Sequence, residues 1–392
     1  MMQPAKRLDR FPPYVFAALS SRIKALEAQG VDVIRLDIGS PDLPPPPSII
    51  AALHEAAQRP DNHGYPSFTG TPALRRSIAG YYAQRFGVDL DPDTEVLPLI
   101  GSKEGIAHLA LAWLDAGDVA LVPDPGYPVY GMGALIAGGE PYPLPLLAEN
   151  RYLPDLDAVP AAVLRRARVL WLNYPNNPTG ATADLAFFEH AVAFARRHDL
   201  LLCHDAPYCD VGFDGYQAPS LLQVPGAREV AIEFNSLSKS HNMAGWRIGM
   251  AVGHAQVLAA LLKVKSNIDT GIFQAVQAAA VAALSEDQAW LGERNTIYQA
   301  RRDLVLDGLR RTGLRAATPR AGLYVWAAIP AGTTSGGFAD RLLVQTGVSV
   351  TPGSAFGEHG EGYIRISLGI DTDRLFSAMQ RIAAFKQQTK GD

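Results

Sequence analysis

One stretch of this chain gathers groups that could do covalent chemistry. Ser236-Leu237-Ser238-Lys239-Ser240 is followed, eight residues after the lysine, by Arg247, flanked by Gly245 and Gly249. It comes after an apolar run, Val230 to Phe234, of the kind that forms a buried strand. An ammonium at the end of a buried strand is costly to keep charged, so burial should lower its pKa. A lysine tuned that way is a nucleophile toward carbonyl carbon. The hydroxyls of Ser236 and Ser238, together with the planar fork of Arg247, suit a phosphate dianion. A carbonyl cofactor that also carries a phosphate satisfies both halves, and pyridoxal 5'-phosphate is that cofactor. Taken alone, the motif could equally be a solvated lysine beside an unrelated surface arginine.

Three more stretches supply the rest of such a site, and each sits where a strand should end. Val96 to Ile100 runs into Gly101-Ser102-Lys103-Glu104-Gly105, where a glycine turn opens a helix whose first amides can hold an anion. Arg168 to Asn173 runs into Tyr174-Pro175-Asn176-Asn177-Pro178-Thr179-Gly180, which on its own is a good plain turn. Leu200 to His204 runs into Asp205, and most acids after a strand serve only as turn or helix caps. Val119 to Val122 and Ile248 to Val252 read as further strands, and helices are predicted over Val129–Ala137 and Leu185–His198. Strands alternating with helices imply a three-layer α/β/α domain on a mostly parallel sheet. Ligands of such sheets sit beyond the carboxyl ends of the strands. Lys103, Asn177, Asp205 and Lys239 all fall there.

The flanks read differently. Residues 1–15 look like an extended arm, because Phe11-Pro12-Pro13-Tyr14 blocks a helix. A helix follows to Gln29, then Val31 to Ile38 alternates as a strand ending in Gly39-Ser40-Pro41. Ser48 is expected to cap a helix running to Gln58, and Thr71-Pro72 to open another to about Arg85, after a loop from Tyr65 to Gly70. Helices are expected over Ala255–Ser266, Phe273–Leu284 and Gln288–Arg311, then a smaller α+β unit containing the alternating strand Tyr363 to Ser367. That strand faces Arg365 inward, where it needs an anion, either a salt-bridge partner or a ligand. The expected division is an arm at 1–15, a large domain at 46–285, and a small α+β domain made of 16–45 with 286–392.

Composition narrows the class. The chain has 392 residues, 48% hydrophobic and 19% charged, enough for an ample core. A net charge of −4 and a pI near 6.1 give no sign of a nucleic-acid or membrane partner. Cys203 and Cys209 are too few for a disulfide framework, and no metal-ligand spacing surrounds them. The polar N-terminus lacks a signal-peptide core, and no run of eighteen apolar residues occurs. A soluble, cytoplasmic protein is the expectation.

The chain resembles fold-type I pyridoxal-phosphate enzymes, specifically class I/II aminotransferases. The resemblance rests on Ser236 to Gly249, Asn176 to Gly180, Asp205 to Tyr208, Tyr65 to Gly70 and Tyr363 to Ser367, and it covers nearly the whole chain. It implies that Lys239 holds the cofactor covalently and then moves a proton at the substrate Cα. Asp205 would face the pyridine nitrogen and keep it protonated. Tyr208 and Asn177 would hydrogen-bond the phenolic oxygen, and Tyr127 would stack on the ring. Ser236, Ser238, Arg247 and the amides at Ser102 and Lys103 would hold the phosphate. Tyr65 would reach the cofactor of the other subunit of a homodimer. Arg365 would grip the substrate α-carboxylate, with Gly39 approaching the same group. Tyr14, Lys103, Glu104 and His241 are candidates for the far end of the substrate.

Pro12-Pro13-Tyr14, Gly101 to Gly105, Ser240 to Trp246 and Lys265 to Gly271 are similar to the branch that contains LL-diaminopimelate aminotransferases. One position departs: diaminopimelate-specific members carry an acid three residues after the tyrosine matching Tyr65, and here that residue is Phe68. The leading expectation is amino transfer between an L-amino acid and a 2-oxo acid such as 2-oxoglutarate, in a ping-pong cycle. An aspartate- or alanine-type aminotransferase, or a β-lyase or decarboxylase on the same cofactor, uses the same residues. A cofactor-sensing regulator would carry a DNA-binding segment before the fold, and the fold here is expected to start near residue 15.

Overall fold

The computed structural model describes residues 2–12 and 15–385; Tyr14, a candidate for the far end of the substrate, lies outside the described residues. Seven strands form one sheet, in the order Val96–Leu99, Gly249–Gly253, Ala231–Ser236, Leu201–Asp205, Ala167–Asn173, Val119–Asp124, Glu140–Pro145. Six run the same way, and Gly249–Gly253 runs against both its neighbours. All but the edge strand Glu140–Pro145 are buried on both sides, which is why they read as apolar runs. Ala167–Asn173 sends Leu170 and Leu172 into one core and Val169 and Trp171 into the other. Pro72–Phe86, Leu185–Arg197 and Gln274–Ser285 cover the first face; Ser102–Trp113, Val129–Ala137 and Ala255–Ile268 cover the second. The fold is thus α/β, with helices on both sides of a mostly parallel sheet.

Side-chain caps set several helix starts. The Thr71 hydroxyl accepts from the Leu74 amide at 3.2 Å, with Pro72 at the first helical position. Ser48 does not cap Pro47–Ala57 as expected: its hydroxyl donates to Glu286 at 2.7 Å, and Pro46 holds the cap position. A proline at the first helical position removes one of the amides a cap would serve.

A second, antiparallel sheet pairs Thr351–Pro352, Tyr363–Ser367, Tyr324–Ala328 and Arg315–Ala316 in that order. Its core takes Tyr298 and Val305 from the helix Ala289–Thr312, Phe338 and Leu342 from Ser335–Thr346, and Leu375, Ala378, Met379 and Ile382 from Thr372–Ala383. The last four lie on one helical stripe. Ile34 and Leu36 pack into the same core. The strand predicted from Val31 to Ile38 shrinks to Ile34–Arg35, paired in parallel with Val348–Ser349. Beyond Arg35 the carbonyl groups go elsewhere: Leu36 accepts from the Ser367 amide at 2.8 Å, and the Asp37 and Gly39 carbonyls turn toward side chains of the site. The edge strand Glu140–Pro145 is unanticipated by sequence, because Pro141, Pro143 and Pro145 argue against a strand. Among the described residues no helix is long and apolar enough to cross a membrane.

Candidate active site

The carboxyl edge of the six parallel strands meets the second sheet around a cavity of about 390 Å³. Gly39, Ser102, Lys103, Tyr127, Asn177, Asp205, Tyr208, Ser236, Ser238, Lys239, Arg247 and Arg365 all line it. Twelve expected site residues, far apart in sequence, are brought to one place. Tyr65 is not among them: it stands 95% exposed on its loop. Glu104 and His241 also turn away. Glu104 takes the Ile100 amide and the Lys265 ammonium, and His241 is fully buried against Ser240 and Gln288.

Lys239 sits in the short helix Leu237–Ser240 that follows Ala231–Ser236. Its Nζ donates to the Gly39 carbonyl at 2.6 Å. Burial, then the positive charges of Arg365 and Arg247, lower its pKa to about 8. The other buried lysine, Lys265, lies between Glu104 at 2.9 Å and Asp269 at 2.8 Å, so its ammonium is held by two carboxylates. Lys239, unlike Lys265, has the surroundings of a nucleophile. Arg294 clamps its backbone, donating to the Lys239 carbonyl at 3.1 Å, to the Ser240 carbonyl, and to the Asp210 carbonyl at 2.7 Å.

Asp205 is the last residue of Leu201–Asp205. Its Oδ2 accepts from the Tyr130 hydroxyl at 2.7 Å, while the buried Oδ1 has no hydrogen-bond partner among the described residues. Burial raises its pKa to about 6, against the opposing Tyr130 bond and the nearby His204. Asn173 ties this edge together: it donates to the Asp205 carbonyl at 2.7 Å and accepts from the Asn177 amide at 2.9 Å. The Tyr208 hydroxyl pairs with that of Tyr324 at 2.8 Å, and burial holds its pKa well above the usual tyrosine value.

Arg365 is 97% buried on Tyr363–Ser367, since only 3% of it is exposed. It donates to Asn177 Oδ1 at 2.9 Å and to the Asp37 carbonyl at 2.8 Å. The guanidinium lies 4.2 Å from the Tyr324 ring centroid and 4.8 Å from that of Phe356. Its hydrogen-bond partners among the described residues are an amide, a backbone carbonyl and the Thr351 hydroxyl, with no carboxylate side chain, and its Nε is unpartnered. A buried cation without a counter-anion is expensive, so a ligand anion is the natural partner. Gly39 must be glycine: a Cβ there would stand 2.5 Å from the Tyr324 oxygen.

At the opposite end, Gly101 leads into Ser102–Trp113 with no side-chain cap, so the first amides of that helix stay open to an anion. Gly101 has φ 78°, and a Cβ there would run into the Arg247 guanidinium. Arg247 itself has φ 56°, a left-handed backbone rare for arginine and common at functional sites. Its Nη1 donates to the Ala244 carbonyl at 2.9 Å and lies 3.5 Å from Ser238 Oγ. The Ser236 hydroxyl accepts from the Ser238 amide at 3.2 Å. Tyr127 lies edge-on to Tyr130, ring centroids 6.0 Å apart, with Lys103 Nζ 5.8 Å from its own centroid.

The residues fit pyridoxal 5'-phosphate. One carboxylate oxygen waits at Asp205, an open phosphate cradle lies at Ser102 and Arg247, and a partly deprotonated lysine shares the cavity with them. Sequence reasoning missed Tyr130, Tyr324, Asn173 and Arg294. Asn173 was within reach, as the last residue of a predicted strand; the other three are ordinary core positions by pattern.

These features define a pyridoxal-phosphate-dependent transferase of the α/β class. The family described as aminotransferase class I and II matches residues 31–382, and the chain belongs to that family. It is 52% identical to an LL-diaminopimelate aminotransferase of Moorella thermoacetica over 97% of this chain and 98% of the relative. It is also 52% identical to one from Dehalococcoides mccartyi, over 99% of this chain and all of the relative. Among solved structures it resembles substrate-bound BacF from Bacillus subtilis, with a TM-score of 0.94 and 39% identity over 98% of both chains. The protein is an aminotransferase that uses pyridoxal 5'-phosphate.

Proposed function

We propose that the protein transfers the amino group of LL-diaminopimelate, or takes it up from L-glutamate, with 2-oxoglutarate as the partner oxo acid. The observation that carries the reading is Arg365, a buried guanidinium without a carboxylate partner among the described residues, in one cavity with the amine of Lys239. The naming of relatives 52% identical over nearly the full chain supports the choice of substrate.

Bound pyridoxal 5'-phosphate supplies an aldehyde that takes the amino group and a ring that accepts the electron pair released at Cα. Lys239 would hold that aldehyde covalently and, once freed, would move the proton from the substrate Cα. Burial and the two neighbouring arginines bring the Lys239 amine from the ordinary lysine value of 10.5 to about 8, much closer to the neutral form that a general base needs. Asp205, whose Oδ1 is unpartnered among the described residues, would hold the proton on the pyridine nitrogen. Asn177 and Tyr208, both lining the cavity, would hydrogen-bond the phenolic oxygen. Arg365 clamps the α-carboxylate and so fixes the Cα–H direction. Ser102, Ser236, Ser238 and Arg247 hold the phosphate through both halves of the cycle. We also infer a cytoplasmic homodimer, in which the exposed Tyr65 completes the site of the neighbouring subunit.

Cofactor-loaded enzyme incubated with LL-diaminopimelate and 2-oxoglutarate should form glutamate in step with donor consumption. Release of free ammonia without glutamate would point to elimination and overturn the reading.

A further inference from the structure

Arg35 and Asp37 stand two residues apart on the segment whose carbonyls meet Arg365 and Lys239. Both line the cavity that holds those two residues. Arg35 donates from Nε to Asp37 Oδ1 at 2.8 Å and from Nη2 to Asp37 Oδ2 at 2.7 Å. This side-on pairing uses one edge of the guanidinium. Nη1 has no hydrogen-bond partner among the described residues, and the arginine side chain keeps 29% exposure while Asp37 keeps 4%. Both carboxylate oxygens accept from the neighbouring arginine, whereas the arginine still presents N–H donors. An arginine cannot shed its charge, and the bond to Asp37 raises its pKa further.

We propose that Arg35 reads a second carboxylate at the far end of the amino-acid substrate, and that Asp37 is the positioning residue that aims its guanidinium. The inference rests on the aminotransferase reading and names its substrate class: amino acids with a distal carboxylate. The chemistry of the site favours that class. Arg365 takes the α-carboxylate, and a second fixed guanidinium in the same cavity matches a second carboxylate. Both glutamate and diaminopimelate carry one. Phe68 leaves the Tyr65 loop without an acid, so a distal ammonium has one fewer partner there. Recognition through the distal carboxylate needs no such acid.

The test compares L-glutamate with L-norvaline, which carries a methyl where glutamate carries its distal carboxylate, in single turnovers of cofactor-loaded enzyme. Arg35→Met should lower kcat/KM for glutamate roughly 10- to 100-fold, as loss of a charge-assisted pair does, with less than about threefold change for norvaline. Arg35→Lys should recover part of the preference, and Asp37→Asn should lose part of it. Calorimetric binding gives a second readout: Arg35→Met should weaken glutarate relative to valerate by a similar factor. Equal falls for glutamate and norvaline, or a preference abolished by Lys103→Met and untouched by Arg35→Met, would overturn the assignment. Failure of the parent enzyme to transaminate any donor would instead sink the aminotransferase reading itself, so the two failures are distinguishable.

Discussion

The Tyr130 hydroxyl donates to Asp205 Oδ2 at 2.7 Å, and this bond makes the two oxygens of the carboxylate unequal. Oδ2 is fixed by the protein and Oδ1 remains for the pyridine nitrogen. Tyr130 is itself held by stacking on Trp171, ring centroids 5.1 Å apart. Removing the hydroxyl in Tyr130→Phe loses a hydrogen bond to a charged group, about 1.5–3 kcal/mol. Cofactor affinity and single-turnover rate should each fall roughly 10-fold or more. Asp205→Ala should still bind cofactor through the phosphate contacts, yet lose several orders of magnitude in rate, because ring electron demand peaks in the transition state. Absorbance titration of the cofactor and stopped-flow turnover measure both. If Asp205→Ala reacts within about tenfold of the parent once saturated, a loss of only ~1.4 kcal/mol, the carboxylate does not serve the ring.

Lys239 gives a pH prediction with a definite sign. Burial lowers its pKa from 10.5 to about 8, so below that value most of the free protein carries an unreactive ammonium. The rate at which cofactor-free protein captures pyridoxal 5'-phosphate should rise about tenfold per unit as pH climbs toward 8, then level off. Borohydride reduction and peptide mapping should place the label on Lys239. A label on Lys265 would contradict the site, since that lysine is held between Glu104 and Asp269.

Tyr65 provides the test of a shared site. An aromatic ring left 95% exposed on a short loop has nothing to pack against in its own chain. Mixed dimers of Tyr65→Phe and Lys239→Ala subunits contain one site damaged twice and one intact site. They should therefore regain activity that neither parent dimer has in full. Dimers whose activity is the plain average of the two parents would show that Tyr65 serves its own subunit.

The sequence revealed the sheet and most of the site for one reason: both are written locally. A buried parallel strand is a short apolar run, and the residue just beyond it is at the ligand edge whatever the rest of the chain does. Lys239, Asp205, Asn177 and Lys103 are placed by that rule alone. Arg365 was legible because an inward arginine on an alternating strand must meet an anion. Tyr130 and Tyr324 were not, because their hydroxyls act on Asp205 and Tyr208, residues 75 and 116 positions away. The short Ile34–Arg35 strand shows the same limit. Alternation over Val31 to Ile38 predicts pairing, but two of the carbonyls in and just beyond that run are committed to Arg365 and Lys239.

The edge strand Glu140–Pro145 has a consequence for the protein as a substance. The Glu140 amide donates to the Asp118 carbonyl at 2.9 Å and the Leu146 amide to the Asp124 carbonyl at 2.7 Å, so even-numbered amides point into the sheet. Odd-numbered positions face the open side, and there the chain has Pro141, Pro143 and Pro145, none of which has an N–H. A strand from another molecule would find acceptors but no donors along this margin. The sheet therefore cannot lengthen by recruiting foreign strands on that side, which guards a concentrated solution of the enzyme against edge-to-edge aggregation.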